Sequence, residues 1–187
     1  MRGFLDQLAA RTPTPGGGGA AAVTGALAAG LVAMAARFSE RQLPEAGDLA
    51  DQADELRRRV ADLAEADARA YTSVLKALRL PRDEAQRREA RRREALEGAA
   101  AVPLEITTIG ARVAQLAVRV AEAGNPNLRG DAVTAALLAA ASARSAASLV
   151  DINVGLGALD PALSRRAAQA AADASHAADG IADRAVG

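Results

Sequence analysis

Between Thr12 and Ala36 the chain carries no charged residue. The run opens on two prolines and four consecutive glycines, Pro13-Thr-Pro15-Gly16-Gly17-Gly18-Gly19, and continues from Ala20 as Ala and Gly with a few Leu, Val and Met. As a helix, Ala20 to about Phe38 is apolar on every side and therefore buried on every side. Gly25, Ala29 and Ala33, spaced by four, leave one face almost bare, so another backbone can pack closely against it. The same run has the length of a membrane span or a leader peptide. Glycine and alanine contribute little to insertion, Asp6 falls where a leader should be basic, and the remaining chain is read as offering no second span. The expectation is a cytoplasmic protein with no membrane partner. A glycine run ahead of a helix also leaves the first backbone N–H groups bare, so that a ligand can approach the main chain. The plainer reading of the same glycines is a flexible joint.

The rest of the chain reads as helices separated by punctuated loops. Gly3 to Ala10 is a short amphipathic helix with Phe4, Leu5 and Leu8 on one side. Leu49 to about Arg79 is a long helix ending before Pro81, and Asp83 or a neighbour opens the next, which runs to about Ala123 with a kink expected at Pro103. Ala132 to Val150 is a second helix of small residues, and Pro161 starts a last one to about Arg184. Strand periodicity is nowhere evident. The fold class is all-α: a single-domain bundle, residues 1–187, of about six helices with two small-residue helices at its centre.

Lysine plus arginine and aspartate plus glutamate are both 23, and aromatics are 2% of the chain. Such balance argues against a nucleic-acid partner. The Arg/Glu alternation from Gln86 to Glu97 reads as a solvated face of i,i+4 pairs. With no cysteine and one histidine, no metal site is expected, and His176 among alanines reads as a packing or surface residue.

One residue breaks the pattern of the long third helix. Leu49, Leu56, Leu63, Ala70 and Ala77 repeat by seven, and the companion series is Ala53, Val60, Asp67 and Val74. A carboxylate on that seam is costly unless it is paired, hydrogen-bonded or protonated. Asp67 is therefore either a working acid/base with a raised pKa or a polar residue that fixes register by bonding a neighbouring helix. The second polar loop, Gly124-Asn125-Pro-Asn127-Leu-Arg-Gly-Asp131, supplies two amides and a carboxylate, with Asp131 a natural N-cap for the helix that follows. In a bundle both loops are expected to meet Asp67.

Five segments in order resemble the cyclodeaminase/cyclohydrolase family of folate enzymes. Pro15-Gly-Gly-Gly-Gly-Ala20 is similar to the family's Pro-Gly-Gly-Gly-Ser, and Glu65-Ala-Asp-Ala-Arg-Ala-Tyr-Thr72 to the segment carrying its catalytic aspartate, which falls on Asp67. Ala101-Val-Pro-Leu104, Gly124 to Asp131 and Asp151-Ile-Asn153 match the remaining three. The chain departs from the family pattern at Ser39-Glu40, where only Arg41 remains of a basic set, and at Gly130, Arg144 and Leu149. The resemblance implies chemistry on the one-carbon bridge between N5 and N10 of tetrahydrofolate, without metal or redox cofactor, in a homodimer. It implies Asp67 as the catalytic residue and Pro15, Gly16, Gly17, Gly18, Arg41, Asn125, Asn127, Asp131 and Asn153 as substrate-binding residues, with Arg41 on the folate glutamate. The expected activity is 5,10-methenyltetrahydrofolate cyclohydrolase, since no formiminotransferase half is attached. The alternatives are 5-formiminotetrahydrofolate cyclodeaminase and a helical folate-binding or scaffold protein without activity.

Overall fold

The computed structural model describes residues 2–79 and 85–183. Six α-helices follow one another: α1 (Arg2–Ala9), α2 (Gly17–Arg37), α3 (Ala46–Leu78), α4 (Ala85–Ala123), α5 (Arg129–Gly157) and α6 (Ala162–Asp183). A single 3₁₀ turn, Pro126–Leu128, joins α4 to α5. Among the described residues there is no strand, and the all-helical bundle expected from the periodicities is the architecture found.

Helix α2 starts at Gly17, three residues earlier than its composition suggested, so three of the four glycines form its first turn. None of the glycines has a positive φ, which removes conformational freedom as the reason for them. Helix α4 runs unbroken through Pro103. Pro81 and Asp83, expected to separate α3 from α4, lie outside the described residues. Asp131 is not the N-cap of α5: Leu128 precedes the helix and Asp131 sits in its first turn.

The largest departure is at the end of α5, which passes Val150 and continues to Gly157, placing Asp151, Ile152 and Asn153 on the helix. Its end is fixed by backbone bonds. Ala158 is left-handed at φ 45°, its N–H donates to the Gly155 carbonyl, and the Leu159 N–H donates to the Val154 carbonyl at 3.0 Å. These are the two bonds of a Schellman stop. Arg92 adds a third donor by reaching the Leu156 carbonyl at 2.7 Å.

Cross-helix contacts fix the topology. Gly25 and Gly18 of α2 face Val60 and Asp67 of α3. Arg59 and Arg119 bind Glu105 and Glu45 across α3 and α4. Gly110 faces Ala139 and Ala143 of α5, and Ala99 bonds Asn153. Gly17 faces Leu149, while the Ser142 hydroxyl donates to the Ala21 carbonyl at 2.7 Å beside Gly25. In each pair residue numbers rise on one helix as they fall on the other. Helices α2 to α5 therefore run up, down, up and down, with α2 antiparallel to α5, while α6 packs on α4 and α5.

Burial explains much of the uncharged run, but α2 is not buried on every side: Leu27 is exposed. Gly25, Ala29 and Ala33 are buried as their spacing suggested, and α5 contributes Ala132, Ala135, Ala136, Ala139, Ala143 and Ala146. Alanine on both helices lets the backbones close without cavities. The reading that α2 has no counterpart does not hold. The segment Pro126–Gly157 is also long and apolar enough to cross a membrane, and 56% and 50% of the two apolar windows are buried within the bundle.

Candidate active site

The cleft lies at the end of the bundle where α2 begins. Asp67 of α3 points at that start and occupies the space above Gly18. A Cβ built on Gly18 would overlap the Asp67 carboxylate, so any side chain there has to displace it. The Gly19 N–H donates to the carboxylate. Gly16, the residue before α2, makes no side-chain cap, so a carboxylate from the next helix fills the place of one. Asp67 thus bonds a neighbouring helix, as the register-fixing reading requires, and also lines a cleft, as the acid/base reading requires.

Burial pushes the Asp67 carboxyl above the usual carboxylate range, and the Gly19 bond offsets this only in part. A carboxyl that keeps its proton to higher pH than free aspartate is suited to exchanging one with a ligand.

The cleft has a volume of about 430 Å³. Gly16, Gly17, Gly18 and Thr14 form one wall, and Asp67 and Tyr71 of α3 another. Leu149, Ile152, Asn153 and Leu156 of α5 close it. Tyr71 stands one turn beyond Asp67 and exposes 44% of its surface. The four α5 residues share one face at i, i+3, i+4 and i+7. That spacing was concealed as long as α5 was expected to stop at Val150. The wall is thus mainly apolar, with a carboxyl, a phenol, an amide and bare backbone on it, as small-molecule sites commonly are. A wider hollow of about 450 Å³ between α3 and α4 is lined by Ala70, Lys76, Arg91 and Glu94 among others, and does not contain the perturbed carboxyl. Thr14 also lines a neighbouring depression that holds Arg69 and Lys76.

Of the residues implied by resemblance, the structure brings Gly16, Gly17, Gly18, Asp67 and Asn153 together, with Pro15 alongside, its Cβ 3.5 Å from the Cβ position of Gly19. Arg41 and Asn125 line a separate depression with Arg37, Phe38, Glu40 and Gln42. The reason is the topology. The glycines open α2 and the Asn/Asp loop opens α5, and antiparallel helices begin at opposite ends. Helix α2 is 21 residues, about 30 Å, so the expected meeting of both loops at Asp67 does not occur within one chain. Asn125 is engaged at the far end: its Nδ2 donates to the Phe38 carbonyl, its N–H to Ser39 Oγ, and its Oδ1 accepts from the Asn127 N–H. Asn127 is exposed, and Asp131 is half-buried on the first turn of α5.

Fold and site together define an all-α bundle protein with a half-buried carboxyl in a cleft at a glycine helix start. Residues 1–173 match the family model described as formiminotransferase-cyclodeaminase. The methenyltetrahydrofolate cyclohydrolase of Methylorubrum extorquens is 40% identical over 159 residues, which are 80% of this chain and 76% of that protein. The formimidoyltransferase-cyclodeaminase of Mus musculus is 32% identical over 152 residues, 73% of this chain but 27% of the mouse protein, so the chain spans about a quarter of that relative. The crystal structure of formiminotetrahydrofolate cyclodeaminase from Thermotoga maritima superposes with a TM-score of 0.82 at 29% identity, covering 98% of this chain and 92% of that one. The chain belongs to the formiminotransferase-cyclodeaminase family.

The geometry separates two glycines of the bundle. Gly18→Ala forces the Asp67 carboxylate off the α2 start and should reduce turnover at least about tenfold. Gly47→Ala, exposed on the first turn of α3 away from the cleft, has nothing within 4 Å of the added Cβ and should leave turnover within about twofold. Steady-state kinetics on the two folded variants checks the contrast, and equal losses would contradict it.

Proposed function

We propose that the protein is a 5,10-methenyltetrahydrofolate cyclohydrolase, with Asp67 as the group that moves the proton. The observation that carries this reading is the half-buried carboxyl held against bare helix N–H groups inside a cleft of small-molecule size. The name of the 40% identical relative supports the choice of reaction. Water adds to the cationic methenyl carbon, forming a C–O bond and a tetrahedral carbon between N5 and N10. The carboxylate accepts a proton from that water. The N5–C bond then breaks and N10 keeps the carbon as a formyl group. The protonated carboxyl gives its proton to N5 as that nitrogen leaves, while the hydroxyl on the tetrahedral carbon becomes the formyl C=O and releases its own proton to solvent. The net change is water in and one proton out, and it calls for no cofactor. A group alternating between base and acid in this way supplies roughly a hundred- to ten-thousand-fold.

Cyclodeamination is the second reading, supported by the cyclodeaminases among the relatives. There N10 attacks the N5-formimino carbon and ammonia leaves with a proton, making the enzyme a lyase. The folate ring belongs against the α2 start and the leucines of α5. Arg69 and Lys76, reached past Thr14, are better placed for the glutamate carboxylates than Arg41 at the far end. Purified protein should remove the near-ultraviolet absorbance of 5,10-methenyltetrahydrofolate at least about a hundredfold faster than buffer, and release no ammonia from 5-formiminotetrahydrofolate. Ammonia release without the first activity would establish the second reading, and neither activity would overturn both.

We also propose a cytoplasmic homodimer. Leu27 and Leu137 each leave 47% of their surface exposed on the outer faces of α2 and α5, with Ile152 and Leu156 further along α5 at 52% and 55%. Pairing these faces antiparallel covers them and sets the Arg41–Asn125 end of one copy beside the cleft of the other, which reunites the residues the resemblance groups together. Light scattering at micromolar concentration should give about twice the chain mass of 19.0 kDa, and a value of one chain mass would contradict the dimer.

A further inference from the structure

A proline is buried in the middle of α4. In a regular helix the N–H of residue 103 would donate to the carbonyl of residue 99. Pro103 has no N–H, and its ring crowds the same carbonyl. Ala99 O is therefore left without its helical donor on a residue that is only 6% exposed. An orphaned buried carbonyl is costly when nothing replaces the lost bond.

Here Asn153 of α5 replaces it. Its Nδ2 donates to Ala99 O at 2.8 Å. Both Ala99 and Asn153 line the cleft that holds Asp67. A side-chain amide donates only through its nitrogen and accepts only through its oxygen. Once Nδ2 is committed to Ala99, the amide is no longer free to flip, and Oδ1 is the polar atom left over. Among the described residues no donor reaches that oxygen. If residue 103 had an N–H, the carbonyl of Ala99 would already be satisfied within α4, and the bond from Asn153 would be a second, weaker claim on it that holds the amide less firmly.

We infer that Pro103 is a positioning residue for the substrate: by emptying the carbonyl of Ala99 it locks Asn153 with its Oδ1 as a fixed acceptor for an N–H donor of the pterin ring. The inference rests on the folate reading above and adds to it the polarity of one recognition point. A locked amide binds a ring edge that offers a proton and rejects one that offers a lone pair. A freely turning amide would not discriminate between the two. It also gives the buried proline a use. A proline in a helix interior is the most disfavoured residue there relative to alanine.

The test sets stability against binding. Pro103→Ala restores a helix N–H and should raise the melting temperature, or at least not lower it, while raising KM about tenfold with a smaller change in kcat. Asn153→Ala should raise KM to a similar extent, and the double variant should be no worse than Asn153→Ala alone, because Pro103 acts only through that amide. The inference is overturned if Asn153→Ala keeps the wild-type KM, a result that does not depend on how Pro103→Ala folds. It is also overturned if Pro103→Ala is folded and keeps that KM, or if the two effects add. Wild-type turnover of 5,10-methenyltetrahydrofolate separates the levels. An active wild type without coupling removes only this inference, and an inactive wild type removes the folate reading and this inference with it.

Discussion

The contact between the Asp67 carboxylate and the backbone of Gly18 and Gly19 is the interaction on which the rest depends. It joins two facts that sequence leaves separate, a charge on an apolar seam and a glycine run at a helix start. The seam residue needs a place to put its charge, and the helix needs an acceptor for its first N–H groups. Each solves the other's difficulty only if no Cβ stands between them. The glycines are thus required for proximity. The carboxyl is left half-buried, with its proton held more tightly than in water and with one side open to the cleft.

The alternating direction of the helices decides what else can reach that carboxyl. Among the described helices, the starts of α2, α4 and α6 and the ends of α3 and α5 are at its end of the bundle, with Phe4 of α1 beside Gly19. The α5 end is brought there by its run to Gly157 and by the backbone bonds that stop it. The alanine faces of α2 and α5 let those two helices approach closely enough for Leu149 to lie over Gly17. Packing by small side chains is therefore part of the site's geometry as well as of the core.

Much of this was legible in the sequence. Helical periodicity carries the fold class, and the broken heptad series alone singles out Asp67. Charge interleaving along the first turns of α4 was read as surface pairing, and Arg91–Glu94 and Arg93–Glu97 pair in that way. What stayed hidden depends on tertiary contact. The end of α5 extends past the expected Val150 because the Asn153 and Arg92 bonds and the buried Val154, all tertiary contacts, carry the helix on to Gly157. Ile152 and Leu156 were hidden with it, since the face they share with Leu149 exists only when α5 runs to Gly157, while Tyr71 is an exposed side chain with no periodic signature of its own. The grouping of Arg41 and Asn125 with Asp67 failed within one chain because direction along a bundle is not encoded in a motif.

The central claim is that Asp67 carries the proton, beyond its service as a cap for α2. Asp67→Asn keeps the size of the side chain and an oxygen for the Gly19 N–H, and loses only the ability to take or give a proton. Turnover of 5,10-methenyltetrahydrofolate by the folded Asp67→Asn variant is the most direct measurement. The account predicts a fall in kcat of at least about a hundredfold with KM little changed. A folded variant with near-normal kcat would contradict it and leave Asp67 as a structural cap.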